Sequence, residues 1–185
     1  MKFLVVGLGN IGEEYRYTRH NIGFLVLDRM ASKYNVSFKN DRYADIAEFR
    51  LKNKMVTIIK PTTYMNLSGK AYKYWIDKMG IPVENSMAIV DELALQYGIM
   101  RIKPSGSSGG HNGLINIEQE LKTQKYPRLR FGIGNEFHKG GQIDYVLGKW
   151  NDEEVAKLPE YIDRTIAAIE ESILAGFARA MNKFN

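Results

Sequence analysis

The side chains best suited to acid–base chemistry in this sequence are His20 and Asp91. His20 lies in the segment TRHN, where a helix is expected to begin, and Asp91 closes the apolar run AIVD, which is typical of a buried strand. If the two side chains meet, the carboxylate can accept from one ring nitrogen and leave the other free to take a proton from water. The pair therefore predicts general-base catalysis. A histidine at a helix start is also often a cap or a packing residue, so this alternative stays open.

Other catalytic groups are scarce. The chain has no cysteine, and its three histidines are far apart in sequence with no H-x-x-x-H pair, which argues against thiolate chemistry and a metal site. We expect neither a metal nor a cofactor. Amides remain, and each could serve an oxyanion or simply form a turn or cap: Asn10, Asn21, Asn66 and Asn112. A general base combined with such hydrogen-bond donors is sufficient to hydrolyse an activated ester, but it is a weak catalyst for the hydrolysis of an unactivated amide.

The segment Gly7-x-Gly9-x-x-Gly12 has the spacing of a dinucleotide-binding turn. That fold needs a helix opening within the motif and an acidic residue about 20 positions later at a strand end. Here the polar stretch EEYRYTRHN follows Gly12, and Asp28 falls inside the predicted helix. The context therefore disfavours nucleotide binding, and we expect the glycines to shape a turn that presents Asn10.

A second glycine-rich segment, residues 106–110, matches G-x-S-x-G. A nucleophilic serine in that motif needs a strand running directly into it and a helix directly out. Pro104 and the flanking serines and glycines predict a flexible loop instead, whose backbone N–H groups could bind an anion.

Strand and helix patterns alternate along the chain, which predicts an α/β fold: a single domain over residues 1–185 with a twisted mixed, mostly parallel sheet flanked by helices. The expected strands are residues 2–6, 43–52, 53–60, 86–93, 98–103 and 129–134. The expected helices are residues 21–35 with Asn21 as cap, 68–80 from a Ser68 cap to Gly80, 112–124, and a C-terminal helix that starts near Asn151 and is interrupted or restarted near Pro159.

Ligands of such sheets bind beyond the carboxyl ends of the strands. Asn10 follows the first strand, Asn66 follows the strand VTIIK, and Asp91 ends AIVD. We therefore expect these polar groups at one edge of the sheet.

The charge is unevenly distributed. The net charge is +5, but residues 151–185 carry four basic and seven acidic residues, which leaves 22 basic and 14 acidic residues, a net of +8, in the rest. The excess of basic residues in positions 1–150 favours a polyanionic partner. The net charge of +5 by itself is a common value that keeps a protein of this size soluble. No apolar run approaches the ~20 residues of a membrane span, so we expect a soluble cytoplasmic protein that binds no membrane.

Six segments together resemble the bacterial peptidyl-tRNA hydrolase family over nearly the whole chain: GLGNIGEEYRYTRHNIGF, KPTTYMNLSGKA, VDELAL, GSSGGHNGL, RLRFGIG and YVLGKW. The segments TRHNxG and GGHNGL are highly specific in combination.

The resemblance implies hydrolysis of the ester between a peptide and the 3′-terminal ribose of tRNA, which frees tRNA from prematurely released peptides. It implies that His20 activates water, that Asp91 holds His20 in its basic form, and that Asn10 binds near the scissile end and distinguishes peptidyl from aminoacyl esters. It also implies that Tyr15, Tyr64, Met65, Asn66 and Asn112 contact the peptide or terminal nucleotide, and that Lys103 and Arg130 grip the tRNA acceptor end. The expected partner is tRNA rather than DNA, and the expected state is a monomer.

The chain departs from the family pattern at several positions. Ile11 stands where proline is usual, Ala94 and Tyr97 replace an acid and a proline of a lid loop, and residues 135–137 differ after GIG. The details of that lid therefore do not carry over.

Two other functions remain as alternatives. A non-catalytic RNA-binding relative on the same fold would be expected to lack the set Asn10, His20 and Asp91, which this chain retains. A nucleotide-dependent oxidoreductase rests only on the glycine spacing.

Overall fold

The computed structural model describes residues 1–185. Seven strands form one sheet in the order β2-β3-β4-β1-β5-β7-β6. The strands are β1 Lys2–Gly7, β2 Lys39–Asp41, β3 Ala44–Leu51, β4 Lys54–Pro61, β5 Ser86–Glu92, β6 Met100–Lys103 and β7 Arg128–Gly132. The helices are α1 Ile22–Lys33, α2 Ser68–Met79, α3 Asn112–Leu121, α4 Gln142–Val146, α5 Asp152–Ala175 and α6 Phe177–Phe184.

The central strands β4, β1, β5 and β7 run parallel, whereas β2, β3 and β6 pair antiparallel with their neighbours. The predicted α/β class, with a mixed sheet that is mostly parallel in its centre, is confirmed.

Both faces of the sheet are covered, and the first strand shows why. Phe3 and Val5 belong to one buried cluster with α1 and α5, while Leu4 and Val6 belong to a second cluster with α2 and α3. Successive strand side chains point to opposite faces, so the uninterrupted apolar run FLVV at residues 3–6 suits a strand that is buried on both sides.

The glycines after β1 serve close packing as well as turning. A Cβ on Gly7 would lie 2.4 Å from the carbonyl oxygen of Gly23, so α1 approaches the end of β1 at a distance that only glycine allows. Gly12 has φ +113°, a conformation that L side chains rarely adopt. As predicted, no α-helix opens within the motif: the short 3₁₀ turn Glu13–Tyr15 follows Gly12, and α1 begins only at Ile22.

The C-terminal helix corrects one prediction. α5 runs unbroken from Asp152 to Ala175 through Pro159, and the chain breaks instead at Gly176, whose φ is +92°. Proline removes one hydrogen bond to the carbonyl four residues earlier, here that of Val155. Val155 is 53% exposed, so this turn of α5 lies at the protein surface.

Of the two predicted N-caps, Asn21 occupies the N-cap position of α1, but its side chain makes no capping bond. The Ser68 cap is wrong, because Ser68 lies inside α2 and its hydroxyl donates to the carbonyl of Met65 at 2.7 Å. Two other predicted helix ends are confirmed, whereas α3 ends at Leu121, three residues before the predicted end. Gly80 ends α2 in the left-handed conformation, and Asn151 forms a capping box with Glu154.

Three predicted polar groups do reach one edge of the sheet. Asn10 follows β1, Asn66 follows β4, and Asp91 is the penultimate residue of β5. These strands are parallel neighbours, so their carboxyl ends point the same way. None of the helices combines the length and the apolar character that a membrane span requires.

Candidate active site

The centre of the site is a carboxylate held between two imidazoles. Asp91 Oδ2 lies 2.9 Å from His20 Nδ1, and Asp91 Oδ1 lies 2.8 Å from His111 Nε2. The Asp91 side chain is 2% exposed, and the two rings keep 13% and 10% exposure. The predicted contact between His20 and Asp91 is therefore present, and it leaves His20 Nε2 without a protein partner.

His111 is the residue that sequence reasoning missed. Its Nδ1 accepts from the backbone N–H of Gly113 at 3.1 Å, and a backbone N–H can only donate. The ring proton must then lie on Nε2, where it donates to Asp91. The segment GGHN, in which a histidine directly precedes a helix start, was the available signal.

The electrostatics of the pair favour a charged Asp91. Burial penalises its charged form, but the neighbouring His111 and His20 outweigh that penalty and hold the pKa of Asp91 well below its ordinary value. For His20, burial acts to lower the pKa, while the charge and hydrogen bond of Asp91 raise it, and the net result is a pKa above the ordinary value. A raised pKa strengthens the ring as a proton acceptor.

The three groups could in principle hold a metal ion, because their donor atoms lie within 4.8 Å of one another. Two atoms that ligate one tetrahedral zinc at ~2.0–2.2 Å stand about 3.4 Å apart. The observed separations of 2.8 and 2.9 Å fit direct hydrogen bonds instead. His111 Nδ1 is also already engaged with Gly113.

The turn that carries His20 is anchored through the neighbouring residue Arg19. Arg19 Nη2 donates to Glu154 Oε1 at 2.8 Å, and Nη1 donates to the carbonyl of Tyr145 at 3.1 Å. Both side chains of the ion pair are nearly buried, at 10% and 12% exposure. Glu154 closes the capping box of α5, so the start of this helix anchors the turn Arg19–Asn21.

Asn10 is held on the other side of that turn. Its Oδ1 accepts from the backbone N–H of Met65 at 2.7 Å, which ties the end of β1 to the segment after β4. The side chain of Asn21 bonds to the backbone of Asn10 rather than capping α1.

The predicted residues divide between two cavities. A cavity of about 250 Å³ contains His20, Asp91, His111, Asn112 and Arg130. Asn10 lines a separate cavity of about 410 Å³, together with Ile11, Phe24 and several charged residues.

The remaining predicted contacts differ in accessibility. Tyr64 is 52% exposed with a positive φ of 62°, and Asn66 beside it is exposed. Met65 is buried, so only a small part of its side chain can line a groove. Tyr15 is partly exposed in the 3₁₀ turn Glu13–Tyr15.

The two predicted basic residues have different environments. Lys103 is exposed at the end of the outer strand β6, on the same strand face as Arg101. Arg130 instead donates to Glu92 at 2.7 Å and to the carbonyl of Ser107 at 2.5 Å, and its side chain is 12% exposed. Arg130 therefore supports the glycine-rich loop in addition to any role toward an anion.

The loop at residues 104–111 has neither a strand nor a helix within it, in agreement with the sequence. The carbonyls of Gly106 and Ser107 accept from the buried Arg128, which orients the loop against β7.

Four of the residues at which the chain departs from the family pattern, at positions 94, 97, 135 and 136, line one further cavity of about 810 Å³. Tyr97 donates its hydroxyl to the carbonyl of Glu154 at 2.6 Å and meets the Tyr161 ring edge-on. Leu93 and Ala94 line both this cavity and the one that contains His20.

Comparison with known proteins points to one family. A family model described as peptidyl-tRNA hydrolase matches residues 4–185. Proteins named peptidyl-tRNA hydrolase from Parabacteroides distasonis and Porphyromonas gingivalis are 54% and 49% identical, each over 185 residues, with 100% of this chain and 99% and 100% of theirs covered.

A solved structure agrees. The crystal structure of peptidyl-tRNA hydrolase from Acinetobacter baumannii superposes with a TM-score of 0.92 at 34% identity, covering 99% of this chain and 94% of that one.

Proposed function

The chain belongs to the peptidyl-tRNA hydrolase family, and we propose that it cleaves the ester between a peptide and the 3′-terminal ribose of tRNA with water activated by His20. The observation that carries this proposal is the free Nε2 of a histidine whose Nδ1 is held by the buried Asp91.

In the proposed reaction, His20 Nε2 takes a proton from a water molecule as the water oxygen attacks the ester carbonyl. Asp91 stabilises the imidazolium that results and keeps the ring orientation. The tetrahedral intermediate then expels the ribose oxygen, which takes the proton back from His20. The products are the peptide carboxylic acid, which ionises, and tRNA with a free ribose hydroxyl, so the base is regenerated.

His111 supports this step through Asp91. A carboxylate that accepts from two N–H groups is held in one orientation, and its Oδ2 then stays aimed at His20. A positioned general base contributes typically ~10²–10⁴-fold.

Substrate binding is proposed for the other residues. Asn10 would contact the acyl end of the substrate, and the side chains proposed to line the path of the peptide and terminal nucleotide are Tyr15, Tyr64, Met65, Asn66 and Asn112. Lys103 and Arg130 would bind acceptor-end phosphates, and the net charge of +8 in residues 1–150 supports a polyanionic partner. We propose that the protein works as a cytoplasmic monomer that returns tRNA from prematurely released peptidyl-tRNA.

The test is whether the purified protein releases the N-acyl-amino acid from N-acyl-aminoacyl-tRNA in the presence of EDTA. We expect sustained turnover without added metal. Turnover that EDTA abolishes and a divalent metal restores would contradict the proposed metal-free mechanism. Binding of the same tRNA without any turnover would instead favour a non-catalytic RNA-binding protein.

A further inference from the structure

Asn21 makes two hydrogen bonds to the backbone of one residue, Asn10. The backbone N–H of Asn10 donates to Asn21 Oδ1 at 2.8 Å, and Asn21 Nδ2 donates to the carbonyl of Asn10 at 2.8 Å. Asn21 is fully buried, and it directly follows His20 in the turn Arg19–Asn21. One side chain thus connects the turn of the proposed base to the turn after β1.

Backbone partners determine the orientation of both amides. A backbone N–H only donates and a carbonyl only accepts, so the contacts of Asn21 can be made in one orientation alone. The same reasoning applies to Asn10, whose Oδ1 accepts from the N–H of Met65 at 2.7 Å. The Nδ2 group of Asn10 is then its only side-chain group without a protein partner, on a residue that is partly exposed.

The glycine spacing after β1 is consistent with this connection. A Cβ on Gly9 would stand 3.0 Å from Asn21 Cγ and 2.8 Å from the ring of Phe24. Glycine at position 9 therefore leaves room for the amide of Asn21 to lie against the turn. The glycine motif with the spacing of a dinucleotide-binding turn thus makes space for a side chain of the protein itself.

We propose that Asn21 is a positioning residue that fixes Asn10 as a hydrogen-bond donor to the amide carbonyl of the acyl group in the substrate. This inference rests on the proposed function. Asn10 Oδ1 already accepts from the N–H of Met65, so the Nδ2 group is the part of the Asn10 side chain that has no protein partner and can donate to the substrate. A free aminoacyl ester has no such amide carbonyl, and it would gain nothing from this donor. Asn21 keeps the donor at a constant place relative to His20.

The test is a double-mutant cycle on N-acyl-aminoacyl-tRNA, with kcat and KM measured for the wild type, Asn10→Ala, Asn21→Ala and the double variant. We expect Asn21→Ala to reduce kcat/KM on the order of 10-fold or more, and to cause no further loss when Asn10 is already alanine. The preference for N-acyl-aminoacyl-tRNA over aminoacyl-tRNA should shrink in both single variants. The proposal would be overturned if Asn21→Ala reduced kcat/KM equally with asparagine and with alanine at position 10. It would also be overturned if the preference for N-acyl-aminoacyl-tRNA over aminoacyl-tRNA did not change.

Two further variants separate positioning from general loss of structure. Asn21→Asp keeps the acceptor for the Asn10 N–H and loses the donor to its carbonyl, so we expect an intermediate loss. If Asn21→Ala does not fold, the cycle is run with Asn21→Asp, and the same non-additivity is required.

Asn116→Ala removes another buried asparagine, which accepts from the N–H of Gly69 at 2.7 Å. The fold-losses in kcat/KM caused by Asn116→Ala and by Asn10→Ala should therefore multiply when the two substitutions are combined. An inactive wild type would refute the proposed function, whereas additive losses with an active wild type refute only the role of Asn21.

Discussion

His20 Nδ1 lies 2.9 Å from Oδ2 of Asp91, although the two residues are 71 positions apart in the chain. The carboxylate is buried and has a second imidazole on its other oxygen, so it is oriented by both neighbours. This relationship makes the protonation of His20 depend on Asp91 and leads to a prediction about pH.

We expect the kcat of the wild type to fall on the acid side as pH drops through the pKa of His20, above the ordinary ~6.5, because only the neutral ring can accept a proton. Asp91→Asn removes the charge that raises this pKa and leaves the burial that lowers it, so the acid limb should move to lower pH. The plateau should also fall by ~10²–10⁴-fold because the base is no longer held in place. A pH–rate profile of both proteins measures this. An acid limb that stays at the same pH in Asp91→Asn would contradict the coupling.

The exposed Lys103 allows a separate test of tRNA binding. It has no ion-pair partner within the protein, so Lys103→Ala should weaken tRNA binding and reduce the slope of log K against log salt by about 1, without changing the melting temperature. Lys2→Ala is the matched control, since Lys2 is exposed at the opposite end of the parallel strands. Arg130→Ala should weaken binding and also lower the melting temperature, because Arg130 holds Glu92 and the loop at Ser107. An unchanged salt slope for Lys103→Ala would remove it from the tRNA site.

The ion pair between Arg19 and Glu154 should contribute to both stability and turnover. Glu154→Ala leaves the nearly buried guanidinium without its carboxylate and removes half of the capping box of α5. We expect a loss of about 3–5 kcal/mol in the free energy of unfolding, measured by urea denaturation. We also expect a lower kcat, because the turn that carries His20 loses its anchor. Glu153→Ala, in the same first turn but exposed, controls for the change of charge. Similar losses in the two variants would show that the ion pair has no special role.

Part of this fold and site follows from local sequence. The run KFLVV predicted a buried strand, which is β1. The apolar spacing after Asn21 predicted α1, and Asp91 at the end of AIVD was placed at the carboxyl ends of the strands. These features depend on periodicity and on strand ends, both of which are visible in a short window.

Other features depend on partners that are distant in sequence. Glu154 meets Arg19 across 135 positions, and the role of His111 depends on Asp91, 20 positions earlier. Asn21 resembled a helix cap by position, but its amide finds a better pair of partners in the backbone of Asn10. Pro159 suggested a break because its cost in a helix is local, whereas the packing that keeps α5 intact comes from α1 and the sheet.

The most direct test of His20 as the base is turnover of N-acyl-aminoacyl-tRNA by His20→Ala at saturating substrate, beside the wild type and with tRNA binding measured for both. We expect a loss of at least ~10²-fold in kcat with tRNA affinity unchanged, because the variant keeps the binding surface and lacks the proton acceptor. Turnover at the wild-type rate in a folded His20→Ala protein would contradict the assignment of His20.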